Sequence, residues 1–432
     1  MAGERQAITF ERLLTEPVRN GIYKPKEFHG RGAKIVNMGE LFANPRLRAV
    51  PMKRVELSKS ETERFMLAEG DLIFARRSLT AEGAGKCCVV LEINEPTTFE
   101  SSIIRARPDR LKVEPLYLYY FFNSAPGIHS LDTIRRQVAV AGITGGDLSR
   151  LEIPVPSLPE QRAIAHILGT LDDKIELIRR MNETLEAMAR ALFKSWFVDF
   201  DPVRAKHALS KIEGAEGRPS TSSGQAFPGL PKSIADLFPD SFEDSELGEI
   251  PKRWEVGSLD GVLVLQRGFD LPAKQRTSGK YPVLAASGPS GTHNEFMVRG
   301  PGVTTGRSGV LGKVFYIDED FWPLNTSLWV KEFRHSKPAY AFYLLQRIDF
   351  ALFNAGSAVP TLNRNHVHNL PTLAPPMGLI DAFERVATIS LQRQNHNDRE
   401  SNTLAALRDT LLPKLISGEV RVMDRNIVGR SA

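Results

Sequence analysis

Two β-rich globular heads in pseudo-twofold tandem, joined by two long helices that form an antiparallel coiled coil, make up the α+β architecture expected of this chain. Three observations lead there: a heptad seam in mid-chain, a second helical stretch that repeats part of it, and ordered matches between the two globular segments. The expected boundaries are a first head over residues 1–156, a central long helix over 157–203, a linker over 204–246, a second head over 247–375, a further long helix over 376–418 and a tail over 419–432.

The seam consists of Ile164, Leu168, Leu171, Ile175, Ile178, Asn182, Leu185, Ala189, Leu192 and Trp196, spaced alternately by four and three residues. Held for about five repeats, this spacing marks a coiled coil, because one stripe then stays turned toward a partner. Asp172, Asp173, Lys174, Glu176, Arg179, Arg180, Glu183 and Glu186 fill the other faces. A helix of about 40 residues is ~60 Å long at 1.5 Å per residue. A lone apolar stripe of that length needs a partner. Asn182, the polar seam residue, is expected to set register at a cost in stability. The plain alternative is an ordinary buried helix pair with no spacer role.

The partner is expected between about Leu379 and Ile416. There Leu404, Leu407, Leu411 and Leu415 answer to Leu185, Met188, Leu192 and Trp196 at a constant offset of 219. The first half of this stretch is more polar, with Ser390, Gln394 and Asn397 on the stripe.

A chain of 432 residues has room for two or three domains, each with its own core. The polar opening Met1–Gln6 and the absence of an 18-residue apolar span lead us to expect a soluble cytoplasmic protein. The only cysteines, Cys87 and Cys88, are adjacent in an apolar run and read as buried strand residues, neither disulfide nor metal ligands. Residues 1–150 carry 23 Lys+Arg against 18 Asp+Glu, and residues 251–375 carry 14 against 9, while the remainder has 19 against 24. Two basic heads on a slightly acidic frame suit a polyanionic partner.

The heads repeat one another. Arg19–Pro25 faces Gln266–Pro272, Gly32–Val36 matches Gly279–Leu284 to within a residue, and Gly70–Ser78 matches Gly300–Ser308, which sets Arg77 against Arg307. A Gly-Lys pair then opens an apolar strand in each (Gly85-Lys86 and Gly312-Lys313). Phe99–Ile104 corresponds to Leu324–Trp329, and Pro115–Tyr120 to Pro338–Tyr343, a short aromatic helix. Both copies pass through a Gly-containing loop (142–146 and 356–361) and a Pro-studded exit into a long helix. Tyr117, Tyr120, Phe121, Tyr340 and Tyr343 are expected in the cores, not on base-stacking platforms. Residues 205–245, rich in Pro, Gly and Ser and without periodicity, read as a partly disordered linker in which Asp236–Glu249 is a solvated run.

Catalytic signatures are absent. There is no Gly-x-Gly-x-x-Gly, and Gly306–Lys313 lacks P-loop spacing and the following Ser/Thr; nor is there a His-Glu-x-x-His, a Cys-x-x-Cys or an Asn/Asp-Pro-Pro-Tyr/Phe tetrapeptide. His366 and His368 alternate at an expected strand entrance and are not expected to bind metal. What remains are side chains that reach phosphates and base edges: Arg for guanine, Asn or Gln for adenine, Ser or Thr for either. In the first head these are Arg46, Arg48, Lys53, Arg54, Arg76, Arg77, Ser78, Arg105, Arg135 and Arg136. In the second they are Arg267, Lys274, Gln275, Arg276, His293, Asn294, Arg307, Ser308, Asn363, Arg364 and Asn365. For any one of them the plain alternative is a solvated charge, and for Arg77 and Arg307 bracing of the loop.

The chain resembles the specificity (S) subunit of type I restriction–modification systems over essentially its full length. The resemblance is carried by Leu158-Pro159-Glu160-Gln161-Arg162-Ala163-Ile164-Ala165-His166-Ile167-Leu168 with Leu171-Asp172-Asp173-Lys174-Ile175, and by Leu192–Phe200, Asp244–Trp254 and Leu411–Glu419. The second copy departs from the Leu-Pro-Glu-Gln-Arg block at Pro375–Leu379. The resemblance implies a non-catalytic subunit whose heads are target recognition domains, each reading half of a bipartite asymmetric DNA site. It implies that the helices set the gap and dock two methyltransferase (M) subunits, with restriction (R) subunits joining through that complex. S-adenosylmethionine would then sit on M, and ATP and magnesium on R, with no cofactor on this chain. A two-headed adaptor for protein partners, or a nuclease with a cryptic site, are the competing readings. Truncation after Ala374 is expected to remove the second rod while leaving each head able to fold.

Overall fold

The computed structural model describes residues 6–136, 141–216, 230–356 and 359–422, with side chains at 210–216 excepted. It divides into two units, Met1–Glu176 with Ser401–Ala432, and Leu177–Glu400. Each unit therefore holds part of both long helices, Leu158–Phe197 and Met377–Ser417.

In the first unit a five-stranded sheet runs Arg19–Asn20, Ile103–Ala106, Leu72–Ala75, Cys87–Val90, Arg46–Leu47, beside a three-stranded one, Lys53–Val55, His29–Val36, Thr97–Phe99. The strand Leu72-Ile73-Phe74-Ala75 is apolar throughout because both its faces are covered. Leu72 and Phe74 pack with Tyr117, Tyr120 and Phe121 of the helix Pro115–Phe122, and Ile73 and Ala75 with Val36, Phe99 and Val90. Cys87 and Cys88 fall on opposite faces of their strand for the same alternating reason and are buried free thiols. The aromatic residues of Pro115–Phe122 are core, as expected.

The second unit repeats this order: Leu263–Arg267, Ser327–Phe333, Gly302–Gly306, Val314–Ile317, beside Gly288–His293, Tyr281–Ala285, Trp322–Pro323. The smaller sheet of each copy contains a parallel pair, Ile35 with Thr98 and Val283 with Trp322, and in the first copy Arg46–Leu47 also runs parallel to Cys87–Val90. An antiparallel pair leads into each long helix, Gln6–Thr9 with Glu152–Val155 and Glu255–Ser258 with Pro371–Ala374. Gly21 and Gly268 hold the same place: a Cβ would lie 2.1 Å from Glu100 O in one and 2.3 Å from Leu324 O in the other, so only glycine fits.

Hydrogen-bond register corrects the sequence match by one residue in two places. One of them sets Phe99–Ile104 against Pro323–Leu328 instead of Leu324–Trp329, since Ile22 N donates to Phe99 O as Phe269 N does to Pro323 O. Arg76 N donates to Ser102 O as Arg307 N does to Thr326 O, and the carbonyls of Arg76 and Arg307 accept from Ile143 N and Leu362 N. Arg76, not Arg77, is the counterpart of Arg307. The doublet Arg76-Arg77 made both alignments acceptable, and only the ladder distinguishes them.

The two long helices pack antiparallel in each unit. In the first, Ile164, Ala165 and Leu168 share a core with Leu415 and Ile416, and Arg408 reaches Asp172 at 2.7 Å. In the second, Asn182 meets Asn397 at one end and Phe193 meets Phe383, ring centres 5.4 Å apart, at the other. Burying an aromatic side chain such as Phe383 contributes about 1.5–3 kcal/mol. Among the seam residues Ile164, Leu168, Ile178, Ala189, Trp196 and Leu415 are buried; Leu171, Ile175, Asn182, Leu185, Leu192, Leu404 and Leu411 are half-buried. Leu407 is the exception at 47% exposure, because its neighbour Arg408 turns inward to Asp172.

The first long helix ends at Phe197, and Phe200 takes φ 56°, a left-handed turn. The expected linker is more ordered than its composition indicates: Asp201–Glu216 and Lys232–Ala235 are helical, and Phe242–Ser245 pairs with Gly248–Pro251, so part of the acidic run forms a hairpin. Val203 and Phe238 anchor it in the core around Trp196 and Trp254. Most of the Gly/Pro/Ser-rich part, residues 217–229, lies outside the described residues, as do residues 423–432 of the tail. Among the described residues no helix is long and apolar enough to cross a membrane.

Candidate nucleic-acid interface

Five of the predicted second-head residues come together, Arg267, Arg307, Asn363, Arg364 and Asn365. Arg267 ends one strand, Arg307 follows Gly302–Gly306, and Arg364 and Asn365 lie on the short helix Arg364–His368 that Asn363 caps. With Leu328 at the side they line a groove of about 480 Å³. Charge in this groove is little compensated: Arg267 has Asp270 at 3.6 Å, Arg307 leans on Asn325 O at 3.5 Å, and Arg364 has no ion pair among the described residues. Three guanidinium groups in one concavity suit phosphate oxygens or guanine edges. Ser308 adjoins the groove through its bridge to Thr361.

The other second-head candidates gather at the hairpin Tyr281–Ala285/Gly288–His293. Arg276 donates to Ser290 O at 2.7 Å and is a brace. His293 is buried, accepts from or donates to Thr277 at 3.1 Å and packs on Trp322, so it is no surface reader. Lys274, Gln275 and Asn294 stay exposed. His366 and His368 sit on a helix, not a strand, and His368 Nε2 accepts from Leu265 N at 2.9 Å.

In the first head several candidates prove structural. Arg105 is 2% exposed and binds Glu16 and Met66 O, both at 2.7 Å. Burial, with Arg107 adding to it, draws its guanidinium below the ordinary value. Such a group cannot reach DNA. Arg46 and Arg48 both bind Asp173 of the first long helix, at 2.8 and 2.6 Å. Arg135 is tied to Ala84 O and Asp132, and Arg54 to Gly32 O and Glu95. Arg136 pairs with Asp147 at 2.7 Å but remains largely exposed. Arg76 donates to Ser101 O at 3.2 Å. Arg77 is exposed without an ion pair among the described residues, beside Ser78, and Lys53 is exposed on its strand. Sequence reasoning missed Asn20, exposed and in the register position of Arg267. The repeat match that paired Asn20-Gly21 with Arg267-Gly268 was the available signal.

A family model described as the type I restriction modification DNA specificity domain matches residues 19–187 and 251–378, once in each copy. The chain belongs to that family. Members of this family are the DNA-recognising, non-catalytic components of type I systems, and this chain is a specificity subunit. It is 25% identical over 330 residues to the type I restriction enzyme MjaIX specificity subunit of Methanocaldococcus jannaschii, covering 71% of this chain and 69% of that one. To the HindI specificity subunit of Haemophilus influenzae it is 27% identical over 364 residues, covering 71% and 77%. The crystal structure of the type I restriction–modification S subunit from M. genitalium shares the fold with a TM-score of 0.63 at 15% identity, over 96% of this chain and 97% of that one. Within this specificity-subunit fold, the described residues hold no cluster of His, Cys, Asp and Glu suited to a metal ion.

Proposed function

We propose that this specificity subunit directs a type I complex to a bipartite, asymmetric DNA site, each copy reading one half. The observation that carries this reading is the separate DNA-specificity match in each copy, residues 19–187 and 251–378. The arginine-lined groove of the second head and exposed Arg77 of the first supply donors for phosphates and base edges.

The helix pair serves as the docking surface for two methyltransferase subunits, and restriction subunits join through them. Supporting this, Leu177 (58% exposed), Met188 (64%) and Ile389 (69%) leave large apolar side chains in water on the second unit's helices, a pattern typical of interaction faces. S-adenosylmethionine then belongs to the methyltransferase subunits, ATP and magnesium to the restriction subunits, and the assembly to the cytoplasm.

Genome-wide methylation mapping with and without the gene tests the proposal. A split methylated motif that disappears on deletion is expected; a methylome unchanged by deletion contradicts it. Retention of DNA by the assembled complex should fall steeply with salt, since each phosphate contact contributes about one unit of slope.

A further inference from the structure

The two copies hold one arginine in the same way and differ around it. Arg76 Nη1 donates to Ser101 O at 3.2 Å, and Arg307 Nη1 to Asn325 O at 3.5 Å. Gly21 and Gly268 pin the neighbouring strand at the same close approach. Ile143 and Leu362 bind the arginine's own carbonyl, and each leads into a short helix, Gly145–Ser149 or Arg364–His368, whose inner residue Leu148 or Val367 is fully buried. The backbone thus offers one platform twice.

The side chains on that platform are unlike. Asn20 pairs with Ile104 where Arg267 pairs with Leu328. Arg77 bridges to Gly142 where Ser308 bridges to Thr361. Gly145 and Gly146 open the short helix where the second copy has Arg364 and Asn365. Asn20, Arg77, Arg267, Arg364 and Asn365 are all exposed. Core and bracing residues stay alike while exposed donors change, as expected if the common part holds the ligand's constant feature and the changing part its variable one.

We propose that Arg76 and Arg307 grip the DNA backbone in both copies, and that the unlike positions read bases: Asn20 and Arg77 in the first copy, Arg267, Arg364 and Asn365 in the second. This rests on the reading of each copy as a half-site reader and adds which residues make the half-sites differ. Guanidinium groups suit guanine O6 and N7, and carboxamides suit adenine N6 and N7. Phosphate contacts position the duplex and carry no sequence information. The two halves of the site are therefore unlike in sequence although the scaffold that reads them is repeated.

The test uses the assembled methyltransferase, with the methylated motif read by sequencing and assembly checked by thermal melting. Arg267→Asn combined with Asn365→Gly is expected to alter one half of the motif, with at least a tenfold loss of preference there, and to leave the other half intact. Asn20→Ala is expected to alter the opposite half. Arg307→Ala is expected to weaken binding to all sequences alike and to reduce the salt slope by about one unit. A wild-type motif that survives the first two variants in a well-folded complex overturns the inference, as does a change in both halves together. A change of motif with Arg307→Ala overturns its assignment to the backbone. Wild-type enzyme that methylates without sequence preference overturns the half-site reading, and this inference with it.

Discussion

Asn397, fully buried on the second long helix, donates its side-chain amide to Asn182 Oδ1 on the first at 2.7 Å. Asn182 in turn donates to Asp398 at 2.7 Å. The polar seam residue is thus one side of a polar layer that joins the two helices at this alignment. A single Asn182→Leu substitution strands Asn397 and costs about 1–3 kcal/mol, read as a lower urea midpoint. Replacing both asparagines by leucine is expected to recover much of that loss, because two unsatisfied groups then become apolar packing.

Removing the Asp172 carboxylate from the first unit is expected to be costly. It accepts from Tyr120 at 2.6 Å and Arg408 at 2.7 Å, so it ties the head's aromatic helix and both long helices together. Burial, reinforced by Asp172, pushes the Tyr120 phenol well above its ordinary value and keeps it a donor. Asp172→Ala should cost about 2–4 kcal/mol and Tyr120→Phe about 1 kcal/mol, both measurable by denaturant unfolding. Equal costs would contradict the shared role of the carboxylate.

Arg105 and Arg77 should separate stability from recognition. Arg105→Ala removes a buried guanidinium from half-exposed Glu16 and from Met66 O and costs about 1.5–3 kcal/mol, with any loss of DNA binding following from unfolding. Arg77→Ala should leave stability within about 0.5 kcal/mol and relax one half of the recognised site. Melting and DNA retention of the assembled complex, measured on both variants, distinguish them.

Burial holds the His368 imidazole below its ordinary value, with Asp260 opposing, and its Nε2 must stay unprotonated to accept from Leu265 N. The unfolded chain binds the proton more readily, so this contribution is present above the ordinary histidine value of about 6.5 and is lost as pH falls through the lower folded value. The second unit should lose stability on going from pH 7 toward pH 5. His368→Gln should remove that part of the dependence.

The long helices and the repeat were legible because period and order survive divergence: ten seam positions at alternating four and three, and matched Gly, Pro and aromatic landmarks. Registration at Arg76 was not, since two adjacent arginines fit one counterpart and hydrogen bonds alone choose. Site residues were the least legible part. Arg105 and Arg77 look alike in a sequence, yet one is 2% exposed and the other exposed, because Glu16 and Met66 O wait for the first and nothing for the second among the described residues. The division into heads and rods also differs from expectation. Leu415 and Ile416 belong to the first head's core, and Leu379, Ile380 and Phe383 to the second's, so truncation after Ala374 removes core from both.

The central claim is that each copy reads its own half of the DNA site. Replacing residues 1–156 by the corresponding head of another family member, and mapping methylation by the assembled complex, tests it most directly. A motif changed in one half and retained in the other is the predicted result; a motif changed in both halves, or in neither, contradicts the account.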